Sequence, residues 1–293
     1  MIDKKKIVVC VAAVAFVLWS LIPIYFIGRM SFMFESEISA SPMHWIPLQP
    51  TLSNYMRMLG FPADTPYGHM LPSGYSPPTL QGILNSIIVA VPVTGLTLLI
   101  AIPTGYAFGR YRFRGKNSSL MTILFSRTLP PVSIIIPYFF LFSQIALKGT
   151  IPGLIVLHLS ITIPIIVWIL IGFFATLPLD IEKAGRVDGC TRTSAIRRVV
   201  IPMAAPGLSA VAILTFLISW NEFLFAWILT NGTPAQTLPV VLPQMVFFLV
   251  YLSELSTVAM LSIIPPIIVG ILFERYITRL RIVDPITVGG EFA

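Results

Sequence analysis

The sequence predicts an all-α, polytopic membrane protein with six transmembrane helices and with both termini in the cytoplasm. Three observations predict this fold class: the composition, the lengths of the uncharged runs, and the placement of the basic residues. Of the 293 residues, 56% are hydrophobic and only 11% are charged, whereas a soluble domain carries about 25% charged residues. Most of the surface must therefore face lipid or apolar partners.

Six runs without a charged side chain are long enough to cross a hydrocarbon core of about 30 Å. In chain order they are Ile7–Gly28, Gln81–Gly109, Thr128–Leu147, Gly149–Leu179, Val199–Asn221 and Leu255–Phe273. We interpret each run as one span. The first run also qualifies, because it is too long for the apolar region of a signal peptide, which has about 7–15 residues. A further apolar stretch contains "TNGTPAQTLP", which predicts a turn after the fifth span.

The basic residues set the predicted orientation. With the N-terminus in the cytoplasm, 15 of the 19 Lys and Arg residues fall in cytoplasmic segments, and only Arg29, Arg57, Arg127 and Lys148 lie elsewhere. This asymmetry is what the positive-inside rule requires. The net charge of +7 therefore indicates a basic cytoplasmic face beside anionic lipid rather than a nucleic-acid partner.

We expect a single transmembrane domain over residues 1–293. Its core covers residues 82–279, and a proline-rich external cap covers residues 31–80, with one short helix near "TLSNYMRMLG". A charged surface segment covers residues 180–201, and a cytoplasmic tail covers residues 277–293. Prolines inside the predicted spans indicate helix bends, which either serve packing or belong to a bundle that lines a polar pathway and changes shape.

The motifs of the common catalytic sites are missing from the sequence. There is no G-x-x-x-x-G-K-[ST], no H-E-x-x-H and no G-x-S-x-G, so we expect no enzyme activity and no catalytic, cofactor or metal residues in this chain. His158, in the fourth span, fits a packed and hydrogen-bonded residue better than a ligand. Cys10 and Cys190 are far apart in sequence and lack metal spacing, which indicates two free thiols.

The segment "EKAGRVDGCTRTSAIRRVVIP", residues 182–202, holds seven charges between two apolar runs. Pro178 and Asp180 suit the first turn of a short helix, and Gly189 suits its left-handed end. Thr191 or Thr193 can cap a second helix over residues 194–201, which Pro202 then ends. The pattern predicts a helix–turn–helix on the cytoplasmic surface, and an ordinary charged loop is the alternative.

This segment resembles the cytoplasmic loop of ABC importer permeases, whose pattern is E-A-A, three residues, Gly, nine residues, then I-x-L-P. The matched positions are Lys183, Ala184, Gly185, Gly189, Val199, Ile201 and Pro202. The chain departs from the pattern at Lys183, where the family has glutamate, and at Gly185, where it has alanine; Glu182 stands next to the first of these. Further on, "SWNEF" at residues 219–223 resembles the fifth span of the carbohydrate (maltose-type) group.

The resemblance implies a permease subunit of a binding-protein-dependent importer for a sugar or sugar derivative, in a bacterial or archaeal cell membrane. Its partners would be a second permease, a dimer of ATPase subunits that holds the ATP and Mg²⁺, and an extracytoplasmic solute-binding protein. The coupling helix would dock on the ATPase. The residues implied in coupling are Glu182, Lys183, Ala184, Gly185, Asp188, Gly189 and Pro202, with Ala184 and Gly185 deepest in the contact.

Arg127 and Glu222 lie within predicted spans three and five, where an ionised side chain is costly unless it faces the protein interior or water. Counted from the cytoplasm they lie at depths of about 15 and 25 Å, so direct pairing is not favoured. They are either structural groups or the lining of a sugar pathway. The lining would then comprise Asn85, Arg127, Thr162, Trp220, Asn221 and Glu222, with Trp220 able to stack on a sugar.

Other functions remain compatible with the sequence. An importer of an anionic solute, such as glycerol phosphate or a sulfonated sugar, would give Arg127 more importance. A secondary transporter would use Glu222 as its intramembrane carboxylate. A structural subunit of a membrane assembly is a third class.

Overall fold

The computed structural model describes residues 4–63, 78–126, 128–248 and 251–277. Within these ranges the chain is helical, with no strand, as the sequence predicts. Arg127 and the tail beyond residue 277 lie outside the described residues, so the predictions made for them are not addressed by the structure.

The described residues form the following helices in chain order. They are α1 Lys4–Ser31, α2 Glu35–Ile38, α3 Ser53–Met58, α4 Thr79–Arg110, α5 Lys116–Phe125, α6 Pro131–Gln144, α7 Ile151–Thr176, α8 Leu179–Val187, α9 Arg192–Ala195, a π segment Ile196–Val200, α10 Ile201–Trp220, α11 Leu224–Thr230, α12 Leu238–Phe248 and α13 Leu252–Ile277.

Five helical stretches among the described residues are long and apolar enough to cross a membrane. They are Ile7–Ser31, Thr79–Arg110, Ile151–Thr176, Arg192–Trp220 and Leu252–Glu274, which correspond to predicted spans one, two, four, five and six. Predicted span three corresponds to α6, which has 14 residues and is therefore only about 21 Å long.

The chain forms two compact units. The first comprises residues 1–85 and 236–264, and the second comprises residues 86–235 and 265–293. In the first unit, α1 is exposed along its whole apolar length from Ile7 to Tyr25. The helix predicted near "TLSNYMRMLG" is confirmed as α3.

Polar side chains connect the segment around α2 and α3 to the start of α13 within the first unit. The Glu35 carboxylate accepts hydrogen bonds from the backbone N–H groups of Leu252 and Ser253 at 3.1 and 3.0 Å, so it caps α13. Arg57 lies 3.1 Å from the buried carboxylate of Glu254. This pairing gives the buried charge the partner that it requires.

In the second unit, α4 packs closely against α7 because a glycine stands at the crossing. A Cβ at Gly105 would lie 2.6 Å from the Cβ of Leu170, so any larger residue would force the two helices apart. Leu170 and Phe174 are fully buried there, and the ring of Phe174 makes an edge contact with Tyr106 at 5.6 Å. This packing fixes the part of α4 from which Tyr106 projects.

One prediction about local structure is wrong. Pro202 does not end a helix, because the chain is helical from Arg192 to Trp220. A wider turn precedes the proline, in which the N–H of Ile201 donates to the carbonyl of Ile196, five residues earlier. Pro202 lacks an N–H, and its ring crowds the carbonyl of Arg198 in a regular helix; a π turn at this point lets the helix continue.

Candidate functional site

Helix α8 is fixed at both ends by groups that the sequence predicted. Asp180 and Glu182 lie in its first turn, where negative charge is stabilised by the helix dipole. Gly189 follows with φ +85°. Its N–H donates to Arg186 O, and the N–H of Cys190 donates to Gly185 O. These two bonds form a Schellman motif, the helix ending that glycine favours.

A second cap lies immediately after this ending. The hydroxyl of Thr191 accepts a hydrogen bond from the N–H of Ser194 at 3.3 Å, so Thr191 rather than Thr193 caps α9. The helix begins at Arg192, two residues before the predicted start. The guanidinium of Arg192 lies 4.1 Å from the ring centroid of Tyr111, which adds a cation–π contact to the connection.

The inner face of α8 packs on its own chain. Gly185 is buried, and a Cβ there would lie 3.2 Å from Val199 Cγ2. The Tyr106 hydroxyl donates to Glu182 Oε2 at 2.7 Å, so this carboxylate is directed towards α4. The expectation that Gly185 lies deepest in a contact with another protein is wrong, because the 3.6-residue period turns it towards the π segment.

The outer face of α8 is not covered by the residues that the structure describes. The apolar side chain of Val187 is 87% exposed. Ala184, Asp188 and Gly189 are exposed as well. Lys183 forms a salt bridge with Asp180 at 2.9 Å, and both side chains are largely exposed. The face therefore combines small apolar groups with charges at its rim.

A second polar site lies where α10 ends. Glu222 stands in the break between α10 and α11 rather than inside a continuous span. Its two carboxylate oxygens accept hydrogen bonds from the N–H groups of Phe225 and Ala226, both at 2.9 Å. The carboxylate thus caps α11 and neutralises part of the positive end of that helix.

His158 of α7 connects this break to the neighbouring helix. Its Nδ1 shares a hydrogen bond with Ser219 Oγ at 2.8 Å, and its Nε2 lies 3.4 Å from Glu222 Oε2. The side chain is 1% exposed, so the prediction of a packed, hydrogen-bonded histidine is confirmed. Sequence reasoning did not find the pairing with Glu222, because the two residues are 64 positions apart.

A cavity of about 480 Å³ opens beside this break. It is lined by residues of the segment before α6, of α6 and α7, of the break itself and of the start of α11, among them Tyr138, Ser160, Glu222 and Phe225. The Tyr138 hydroxyl donates to Ser160 Oγ at 3.1 Å. Tyr138 and Ser160 were not predicted as site residues; their signal in the sequence is only a hydroxyl group inside an apolar run.

The four other pathway residues that the structure describes have partners within the protein. Asn85 donates from Nδ2 to Gln236 O at 2.7 Å within the first unit. In the second unit Thr162 shares a hydrogen bond with Thr97 at 2.7 Å, and the buried ring of Trp220 stacks on Phe216 with centroids 5.7 Å apart. Asn221 is exposed and donates to Leu217 O. The pathway role of these residues stays a prediction.

Comparison with known proteins places this geometry in a family. Residues 101–282 match the family described as binding-protein-dependent transport system inner membrane component. The chain is 31% identical to a sulfoquinovosyl glycerol transport system permease protein of Agrobacterium fabrum, over 96% of this chain and 92% of that protein. It is 29% identical to a trehalose/maltose transport system permease protein of Thermococcus litoralis, over 93% and 94% of the two chains.

A solved structure shares the fold. It is a chain from the crystal structure of a bacterial ABC transporter involved in the import of the acidic polysaccharide alginate. Its TM-score is 0.71 at 21% identity, and the match covers 94% of this chain and 99% of that one. The family match covers the helices that carry both polar sites. This chain therefore belongs to the binding-protein-dependent transport system inner membrane components, as a multi-pass permease subunit.

Proposed function

We propose that this chain is one of two permease subunits of an ABC importer for a sugar or sugar derivative, and that it forms half of the translocation pathway. The observation that carries the proposal is the outer face of α8, which is rigidly held yet left exposed around Val187. The names of the relatives support the solute class, since they include permeases for trehalose/maltose and for diacetylchitobiose.

In this proposal the chain crosses the membrane six times, with α6 as the third crossing. Helix α6 is short, but it is apolar and is flanked by α5 and by the turn at Ile145, and its Phe140 and Ile136 are exposed as a lipid-facing side would be. Six crossings leave the basic segments at Arg110–Lys116 and α8–α9 on the cytoplasmic side, as the positive-inside rule favours. The cap over residues 31–80 then lies outside.

Coupling to the ATPase would take place through α8. Its outer face offers Val187 and Ala184 as an apolar centre, with Lys183 and Asp188 at the rim, which is the usual anatomy of a contact surface. Burial of the exposed part of Val187 alone favours docking by about 1–2 kcal/mol. Glu182 and Gly185 hold the opposite face against α4 and the π segment, so a displacement of α8 would be passed to α4 and α10.

The remaining parts of the importer are proposed from the family. A second permease would complete the pathway, a solute-binding protein would deliver the solute from outside, and the ATPase dimer would carry the ATP and Mg²⁺. In the importer, lipid and the second permease would together cover the apolar length of α1, which is exposed from Ile7 to Tyr25. The substrate pathway would include Glu222 and Asn221, with Asn85, Thr162, Trp220 and Arg127 as further members.

The contact between His158 and Glu222 favours a second candidate, a secondary transporter. A buried histidine beside a carboxylate is the chemistry of a proton relay. However, the chain belongs to the binding-protein-dependent transport system inner membrane components, and its relatives include permeases of a trehalose/maltose transport system and of a diacetylchitobiose uptake system. The ABC importer is therefore the better-supported function.

Uptake by the reconstituted complex tests the proposal. The chain would be co-expressed with its partner permease, ATPase and binding protein, and placed in proteoliposomes that contain or lack ATP. We expect solute uptake that requires both ATP and the binding protein and is unchanged by a proton ionophore. Uptake by this chain alone, driven by a proton gradient without ATP, would contradict the proposal and favour the secondary transporter.

A further inference from the structure

The cavity beside the break between α10 and α11 has the size of a ligand site. Its volume of about 480 Å³ lies within the range of about 300–1,000 Å³ that small-molecule pockets occupy. All of its lining residues belong to the second unit, and they come from the segment before α6, from α6, from α7 and from the start of α11. The lining is mainly apolar, with a few polar groups that converge at one place.

These polar groups have unused hydrogen-bonding capacity. Tyr138 donates to Ser160, and Ser160 donates to the carbonyl of Leu157 at 2.6 Å, so both hydroxyls keep lone pairs that can accept. Each oxygen of Glu222 uses one lone pair for a backbone N–H of α11 and has another available. The site therefore offers several acceptors, which is what a ligand rich in O–H donors requires.

The acceptors are held in fixed positions. Glu222 is held by two backbone donors, and on the side of α7 it lies beside His158 Nε2 at 3.4 Å. The ring of Tyr138 makes an edge contact with Phe225 at 5.8 Å, so its hydroxyl is held by packing as well as by Ser160. The rings of Tyr138 and Phe225 add an apolar wall, against which the C–H face of a sugar can pack.

We propose that Tyr138, Ser160 and Glu222 form a subsite for the hydroxyl groups of a neutral saccharide on its way through the membrane. This inference rests on the proposed function and deepens it by assigning the charge class of the solute. Glu222 is the charged side chain among the described residues that line the cavity. A carboxylate in surroundings of reduced dielectric accepts from hydroxyls and repels sulfonate or carboxylate groups.

Thiol labelling in the assembled importer tests the subsite without knowledge of the solute. Ser160→Cys would be made in a Cys10→Ser/Cys190→Ser background, and Ser143→Cys would be the matched control. Ser143 also bonds to a carbonyl of its own helix, Phe139 O, but does not line the cavity. The probes are a cationic aminoethyl and an anionic sulfonatoethyl thiosulfonate, and the ratio of their labelling rates is measured at each position.

We expect the cationic-to-anionic ratio to be about tenfold higher at position 160 than at position 143, because a carboxylate lies near the first thiol. Adding Glu222→Gln should bring the two ratios within about twofold of each other. The proposal would be overturned by equal ratios at the two positions without Glu222→Gln, by a ratio at position 160 that Glu222→Gln does not change, or by a thiol at position 160 that reacts with neither reagent.

A second arm identifies the solute class. The binding protein loaded with trehalose, maltose or diacetylchitobiose should slow labelling at position 160 by about threefold or more and leave position 143 unchanged. Protection by sulfoquinovosyl glycerol in place of the neutral sugars would overturn the assignment. The wild-type uptake assay distinguishes failure of the proposed function from failure of the subsite. Absence of ATP-dependent uptake would contradict the proposed function, whereas normal uptake without charge-selective labelling would contradict only the subsite.

Discussion

Helix α8 and the break after α10 both place charged residues between apolar segments, but the charges at α8 are exposed whereas the charge at the break is hydrogen-bonded within the protein. At α8, Lys183 and Asp180 remain largely exposed, and the apolar Val187 is exposed with them. At the break, Glu222 is satisfied by backbone N–H groups and lies beside the buried His158. In the proposed importer the ATPase would cover the first region, whereas both oxygens of Glu222 have partners within this chain and a cavity lies beside them.

This difference predicts where substitutions change coupling and where they change stability. Changes on α8 should alter transport with little effect on folding, since the altered groups face water. Changes at the break should alter folding, because they remove partners from buried polar groups. The following variants test the contrast, from the largest expected effect to the smallest.

Gly189→Val should reduce uptake at least tenfold while the ATPase activity of the complex persists. The reason is conformational: a β-branched residue at φ +85° is strongly disfavoured, whereas the described residues other than the chain neighbours leave its Cβ position open to 4 Å. The Schellman ending of α8 would be lost. The measurement is uptake per ATP hydrolysed in proteoliposomes.

Gly172→Val is the matched control for this variant. Gly172 also has open space around its Cβ position, but it lies inside α7 with ordinary helical geometry. It should keep wild-type uptake. Wild-type uptake per ATP hydrolysed in Gly189→Val would show that coupling does not need the rigid ending of α8.

Glu222→Ala should destabilise the protein by about 1–3 kcal/mol, since two backbone N–H groups of α11 lose their acceptor. The thermal midpoint of the purified complex in detergent measures the effect. Asn221→Ala, at the exposed neighbouring position, should shift the midpoint much less. An equal shift for the two variants would mean that Glu222 is not the organising group of the break.

Tyr106→Phe should lower uptake about two- to tenfold, because it removes the hydrogen bond from α4 to Glu182 that holds the inner face of α8, a bond of about 0.5–1.5 kcal/mol. Thr104→Val removes a hydroxyl that bonds within α4 to Ile100 O and serves as the control. If both variants transport alike, the link between α8 and α4 does not contribute to coupling.

Lys183→Ala should change the free energy of unfolding by less than about 0.5 kcal/mol, because exposed ion pairs contribute little. A double-mutant cycle with Asp180→Ala measures the pair directly. A coupling energy above about 1 kcal/mol would place this pair with the buried contacts at Glu222 and weaken the contrast between the two regions.

The sequence predicted those parts of both regions that depend on neighbouring residues. The helix after Pro178 and the left-handed Gly189 follow from local preferences, as does a threonine cap, for which the sequence offered Thr191 or Thr193 and the structure has Thr191. The continuous helix through Pro202 did not, because a π turn, in which the N–H of Ile201 donates to the carbonyl of Ile196, lets the helix continue into the proline, and this turn has no simple sequence signal.

The break in the helix at Glu222 was not predicted from the sequence either. Glu222 was predicted inside a span, since an apolar run gives no sign of a helix end that a carboxylate caps. The cavity residues Tyr138 and Ser160 and the contact of His158 with Ser219 depend on three helices meeting. Such contacts between residues 22 and 61 positions apart are set by packing rather than by local pattern.

Site-specific photocrosslinking from position 187 tests the central claim most directly. A benzoyl-phenylalanine would replace Val187 in the complete importer, and the same probe at Phe113, an exposed site on the basic loop after α4, would be the control. The account predicts a strong crosslink from position 187 to the ATPase subunit and a much weaker one from position 113. An importer that transports with ATP yet gives no ATPase crosslink from position 187 would contradict it.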